Sequence, residues 1–170
     1  MYLLRKAFND LDESMARKAY TTYVRPILEY ANPVWSPYLR KDIELVEKPQ
    51  RLVTKIPKTL KQLEYEDRCQ KLKILRLCER RERYDLIETY KILNDGYNVE
   101  SFRSFFTKSI DGRLRGHPIK LQRERVKTNC RYHFIINRVV NSWNDLPEEC
   151  VTAKNAHAFK SLLDRTKYQL

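Results

Sequence analysis

Eight basic residues crowd one stretch of this chain: Arg113, Arg115, Lys120, Arg123, Arg125, Lys127, Arg131 and Arg138. Glu124 is the one acid among them, so the stretch from 113 to 138 carries +7. A guanidinium is a planar fork that grips a phosphate through two parallel hydrogen bonds, and a lysine serves the same anion as a point charge. Tyr132 and Phe134 lie among these cations and suit either stacking on a base or packing in a core. Three readings stand for such a segment: contact with nucleic acid, a solvated face that also suits an acidic protein, and attachment to a membrane surface. Phosphate contacts position a nucleic acid without reading its sequence. Arg113, Arg115, Arg123, Arg125 and Arg131 are the first choices for such contacts, followed by Lys120, Lys127 and Arg138. Arg138 falls at the start of a regular helix, where an ion pair within the fold is an equal alternative.

Other constellations lack the spacing their chemistry needs. His117, His133 and His157 are too far apart for a helical metal motif. Cys130 and His133 could join Cys69 and Cys78 as zinc ligands, but eight residues separate the two cysteines, where zinc sites use two to about four. Cys69 shares a helical face with Tyr65 and Leu72, which makes it a core residue. Carboxylates mostly alternate with bases, as in Glu79-Arg80-Arg81-Glu82-Arg83, the pattern of an exposed helix face. Glu64, Glu66 and Asp67 read as first-turn residues favoured by the helix dipole rather than as a divalent-cation site. No nucleophile has a neighbouring base in a recognisable pattern. The expectation is no catalytic residue, no metal and no cofactor of the chain's own.

Composition narrows the class. The chain has 170 residues, 42% hydrophobic and 33% charged, with 34 Lys and Arg against 22 Asp and Glu, a net +12. Residues 139–170 are neutral, so more than half of the excess charge belongs to the stretch described above. Three glycines, Gly96, Gly112 and Gly116, cannot make a phosphate loop or a dinucleotide fingerprint, both of which need clustered glycines. Glycine scarcity also argues against a fold rich in tight hairpins. The longest apolar runs, such as Phe134-Ile135-Ile136, fall far short of the roughly 20 residues a bilayer requires. Arg5 and Lys6 have no apolar stretch behind them, so no secretion signal is expected. Four cysteines without framework spacing fit a reduced intracellular protein, nuclear or cytoplasmic.

The elements that must carry the basic stretch read as helices. Asp12 is a good N-cap, and Tyr20, Val24, Ile27 and Ala31 fall on one helical face, with a kink or restart expected at Pro26. Asp42 suits the cap of the next helix, whose stripe Ile43, Val46, Val53, Ile56 passes through Pro49, so a break or sharp kink is expected there. A short helix around Tyr65 to Leu72 precedes a longer one over 77–95, closed by Asn94-Asp95-Gly96. Residues 98–132 are the least regular, and His117 to Leu121 reads as an extended piece. Order resumes from Phe134 to Trp143, and Asn155 can cap a last helix containing Phe159, Leu162 and Leu163. The expected fold is all-α, an irregular bundle of about six helices, with one short β-hairpin near 117–135. Three regions are expected: a helical region at 1–97, a basic connector at 98–132, and a helical segment at 133–170 packing on the first.

A series of motifs carries a family resemblance. Tyr23-Val24-Arg25-Pro26-Ile27-Leu28-Glu29-Tyr30-Ala31-Asn32-Pro33-Val34-Trp35-Ser36-Pro37-Tyr38 resembles the segment after the polymerase core in LINE-type, jockey-like non-LTR retrotransposon reverse transcriptases. The resemblance continues at 41–48 and 85–93, at Arg115-Gly116-His117, at Asn137-Arg138-Val139-Val140-Asn141-Ser142-Trp143-Asn144-Asp145-Leu146-Pro147, and at Phe159-Lys160. Leu4 to Phe8 looks like the end of the preceding connection. The motifs keep one order along nearly the whole chain. The resemblance implies a thumb and C-terminal segment that holds RNA, RNA/DNA or DNA template–primer against a palm encoded upstream. Phosphoryl transfer needs metal ions held by carboxylates; in that family the Ala-Asp-Asp motif and its Mg²⁺ belong to the palm, and this chain has no adjacent Asp pair. It implies a non-catalytic piece with no membrane and no small-molecule substrate. The rival reading is a helical protein-interaction module, a relic or domesticated piece. Two departures from the family pattern, Pro49 for an aliphatic residue and Glu64 for a capping Ser, read as drift.

Overall fold

The computed structural model of the protein describes residues 11–94, 97, 104–109 and 116–168. It is mostly helical, with one short two-stranded antiparallel sheet, as the sequence implies. The chain forms two compact units, residues 1–81 and 82–170, divided within one long helix.

In the first unit, α1 (Glu13–Ala19) begins at Asp12, whose carboxylate accepts from the amide of Met15 at 2.6 Å. A π turn at Tyr20–Val24 comes next, closed by a bond from the Arg25 amide to the Tyr20 carbonyl, and Pro26 opens α2 (Arg25–Glu29). Proline has no N–H to continue the ladder, so the helix restarts there. The π turn holds one residue more than an α turn and rotates the helix beyond it. Tyr20 is buried and Val24 and Leu28 pack on the core, but Ile27 is 77% exposed and Ala31, at φ 50°, leaves the helix altogether. The expected stripe Tyr20, Val24, Ile27, Ala31 therefore ends at Val24.

After α3 (Asn32–Trp35), α4 runs from Arg40 to Val53 without interruption, so the break expected at Pro49 does not occur. Leu45, whose carbonyl loses its partner to the proline, is on the solvent side. Either side of Pro49 the helix is clamped by buried polar groups. Glu47 Oε1 accepts from the Leu77 amide at 2.9 Å and from the Tyr65 hydroxyl. Gln50 accepts from the Tyr20 hydroxyl at 2.6 Å and donates to the Leu75 carbonyl at 2.9 Å. Burial, chiefly, raises the Tyr20 and Tyr65 pKa values well above normal, which keeps both hydroxyls as donors. Asp42 does not cap α4; Leu39 is the N-cap and Asp42 lies in the first turn. A 3-10 turn at Lys58–Leu60 leads to α5 (Tyr65–Lys71), whose N-cap, Glu64, makes no side-chain capping bond. Tyr20, Val53, Leu60, Tyr65, Cys69, Leu72 and Ile74 form this unit's core.

The long helix α6 (Leu77–Leu93) carries Leu86, Ile87 and Tyr90 into the core of the second unit. Asn94 returns its amide to the Tyr90 carbonyl at 2.9 Å; Asp95 and Gly96, the rest of the expected stop, lie outside the described residues. Strands β1 (Thr107–Lys108) and β2 (Leu121–Gln122) pair antiparallel, Thr107 with Gln122 and Lys108 with Leu121. Only one strand of the hairpin thus falls within 117–135; its partner precedes that range. Short helices α7 (Asn129–Tyr132), α8 (Ile135–Arg138), α9 (Val140–Asn144) and α10 (Glu148–Val151) lead to α11 (Ala156–Leu163). Asn155 caps α11 as expected, accepting from the Ala158 amide at 2.8 Å. Trp143, Phe159 and Leu163 are wholly buried, with Tyr90 stacked on Phe159 at 4.4 Å between ring centroids. Among the described residues no helix is long and apolar enough to cross a membrane.

Candidate nucleic-acid interface

The basic stretch lies in the second unit, and buried asparagines fix its backbone. Asn144 accepts from the Leu121 amide and donates to the Leu121 carbonyl, both at 2.9 Å. Asn137, with no exposed surface, accepts from the Glu124 amide at 2.9 Å and donates to the Arg131 carbonyl at 3.0 Å. Trp143 Nε1 donates to the Ile119 carbonyl at 2.9 Å. Each bond imitates a strand or turn partner for a segment that has little regular structure of its own. The result is a ledge from Leu121 to Phe134 that is irregular yet held at several points.

At the start of the ledge, Gly116 has φ +102°, and a Cβ there would meet Lys120 Nζ at 2.8 Å. His117 is buried, its Nε2 donating to the Trp143 carbonyl at 3.0 Å while Nδ1 has no partner. Burial lowers its pKa, opposed by the Trp143 hydrogen bond and reinforced by the Lys120 charge, so the ring is held neutral. Lys120 is buried and donates its ammonium to the Asn144 carbonyl at the C-terminal end of α9, where a cation is favoured.

The remaining cations separate into three groups. Arg138 makes a two-pronged ion pair with Asp85, both bonds at 2.7 Å, and donates to the His133 carbonyl at 3.1 Å. That is the ion pair within the fold which the sequence left as an alternative to phosphate contact. Arg123 and Arg131 are each held by an aromatic ring. Arg123 lies over Tyr132 at 5.0 Å and donates to its hydroxyl at 2.8 Å; Arg131 lies 5.7 Å from the Phe134 centroid and pairs with Glu124 at 3.0 Å. Arg125 and Lys127 are exposed and make no ion pair among the described residues. Arg113 and Arg115 lie outside the described residues.

Tyr132 and Phe134 both face outward, about two-fifths exposed, rather than into the core. The lone acid of the stretch is occupied by Arg131. Arg125 and Lys127 therefore keep their charge unshielded, flanked by arginines whose guanidinium planes rest on rings and keep edge donors free.

No protein-family model, curated protein or solved structure matches the chain.

The sequence reading missed the asparagine clamps. The signal was present in Asn137, a polar residue directly after Ile135 and Ile136 at a core position, since a buried amide must find partners. Among the described residues no group of three His, Cys, Asp or Glu side chains is placed to hold a metal ion.

Proposed function

We propose that this chain acts as the thumb and C-terminal part of a jockey-like non-LTR reverse transcriptase, holding RNA and template–primer duplex by their phosphates. It carries no catalytic residue of its own in this reading; phosphoryl transfer and its Mg²⁺ belong to an upstream palm. The observation that carries the proposal is the pair Arg125 and Lys127, exposed and unpaired among the described residues, flanked by Arg123 on Tyr132 and Arg131 on Phe134. Uncompensated cations on a fixed backbone suit a polyanion of regular spacing, and outward rings beside them suit unstacked bases. The ordered series of motifs from Tyr23 to Lys160 supplies the family.

The test is a salt titration of RNA and primer–template binding by the full chain and by a variant with Arg123, Arg125, Lys127 and Arg131 changed to Gln. Affinity of the parent should fall by about a hundredfold or more between 50 and 200 mM salt, and the variant's dependence should be much shallower. Equal affinities for parent and variant would sink the proposal. Primer extension by the purified chain should give no product.

A second reading, a helical protein-interaction module with no nucleic-acid role, is favoured by one observation. Tyr23, Ile27, Tyr30 and Val34 are each more than 60% exposed in the first unit. Contiguous apolar exposure of that kind marks interaction surfaces. Absence of salt-dependent nucleic-acid binding, together with capture of an acidic protein partner abolished by Ile27→Asp, would favour it.

A further inference from the structure

The first unit holds a second concentration of cations that the sequence disperses too widely to notice. A pocket of about 320 Å³ is lined by Lys48, Arg51, Lys55, Lys61 and Arg68, with Glu64 the only acid on its wall. Lys48 and Arg51 lie one turn apart on α4, Lys55 sits in the turn after it, and Lys61 and Arg68 come from beyond the 3-10 turn. Lys48, Arg51, Lys55 and Lys61 are exposed, and none makes an ion pair among the described residues.

The pocket is built, not merely charged. Arg68 is 4% exposed, with Nε donating to the Thr54 hydroxyl at 3.1 Å and Nη1 to the Leu63 carbonyl at 2.5 Å, which leaves Nη2 without a protein partner among the described residues. Tyr65 lies between two guanidiniums, Arg51 at 4.7 Å and Arg68 at 5.7 Å from its centroid. Its hydroxyl donates to Glu47. The ring thus holds Arg51 in place and is itself covered, so it is not open to a base. A buried guanidinium with a free donor, opposite several unpaired cations, calls for an anion.

We propose that this pocket binds a phosphate group carrying two or more negative charges, either as a free polyphosphate or as the 5′ terminus of an oligonucleotide. Five cations against one carboxylate exceed the need of a single phosphodiester, and a closed pocket suits a chain end better than a continuous backbone. The inference stands apart from the function proposed for the ledge, which belongs to the other unit.

The experiment is calorimetric titration of the full chain with tripolyphosphate, and with one single-stranded DNA sequence bearing a 5′-phosphate or a 5′-hydroxyl. Tripolyphosphate should bind, and Arg51→Gln with Lys55→Gln should weaken it about tenfold, as loss of charge-assisted hydrogen bonds would. Lys61→Gln, from the opposite wall, should weaken it too, whereas Arg17→Gln with Lys18→Gln removes the same charge elsewhere and should not. Tighter binding of the phosphorylated strand assigns the terminus; equal binding of the two strands assigns the free polyphosphate. No binding of tripolyphosphate overturns the proposal. So does a lowered melting temperature in the Arg51 and Lys55 variant with unchanged binding, since those cations would then only offset the negative end of α4.

Discussion

Asn137 accepts a hydrogen bond at 2.9 Å from the backbone amide of Glu124, across thirteen positions of sequence. The same side chain donates to the carbonyl of Arg131, so one amide group spans the part of the ledge that carries Arg125 and Lys127. Asn137→Ala strands a buried N–H and a buried carbonyl, and should cost about 2–4 kcal/mol of stability. Nucleic-acid affinity should fall as well at temperatures where the variant stays folded, because the cations lose their fixed spacing. A melting curve and a binding isotherm on one sample check both; intact binding in a destabilised variant would show that the clamp serves the fold alone.

Arg138 and Asp85 should matter for stability and not for phosphate binding. Both are largely buried, with side chains 16% and 7% exposed, and Arg138→Gln leaves the carboxylate uncompensated. Breaking such a pair costs about 3–5 kcal/mol, while replacing both partners with apolar residues recovers most of the loss. Denaturant unfolding of Arg138→Gln and of Arg138→Met with Asp85→Leu separates the two, with salt-dependent binding expected to remain parental in the double variant.

Tyr132 and Phe134 distinguish single strands from duplex. Each is free on one side to take an unstacked base, and such stacking contributes about 1–3 kcal/mol per base. Tyr132→Leu and Phe134→Leu should therefore weaken binding of single-stranded RNA about tenfold or more and leave paired duplex nearly unchanged. Equal losses on the two substrates would mean that the rings act only by holding Arg123 and Arg131.

Acid should loosen the second unit in the range of its buried histidine. The folded pKa of His117 is depressed by burial first and by Lys120 second. Below about pH 6.5 the unfolded chain takes up a proton that the folded ring refuses, so stability is full above that value and falls as the pH drops toward the folded pKa. Glu82 adds to the loss at lower pH: burial raises its pKa, but hydrogen bonds from Lys167 and Ser142 and the Lys167 charge outweigh that and hold it below normal. Chemical denaturation at pH 7 and pH 5.5 should show the decline, and His117→Gln should flatten it; an unchanged slope would exclude the histidine as its source.

Pro49→Ala should stabilise the first unit. Alanine returns an N–H to the Leu45 carbonyl within an unbroken helix and removes a steric clash, worth about 1–3 kcal/mol. A lower melting temperature would indicate that the proline ring makes packing contacts that outweigh the backbone.

Pro49 also illustrates what a sequence conceals. Local propensity argued for a break, but Glu47 and Gln50 receive their partners from residues 18 to 30 positions away, and those bonds hold the helix through the proline. Caps such as Asp12 and Asn155 were legible because the residue and the amide it accepts are three positions apart. The same distinction divides the arginines. Arg125 and Arg138 look alike as charges along the chain, and only a carboxylate 53 positions from Arg138 sets them apart. The resemblance divides in a similar way. Its first motif places Tyr23, Ile27, Tyr30 and Val34 in solvent, whereas its later motifs supply His117, Asn137, Trp143 and Asn144 to the hydrogen bonds that pin the ledge.

The π turn at Tyr20–Val24 makes chain length, rather than chain composition, the quantity this region cannot vary. Deleting any one residue between Tyr20 and Arg25 would restore an ordinary helical turn and rotate everything after it by about 100°. Leu28 would swing out and Ile27 would swing in, while Glu29 would be carried away from its ion pair with Arg80. A substitution at the exposed Thr22 alters one side chain; its removal would re-aim a whole helix.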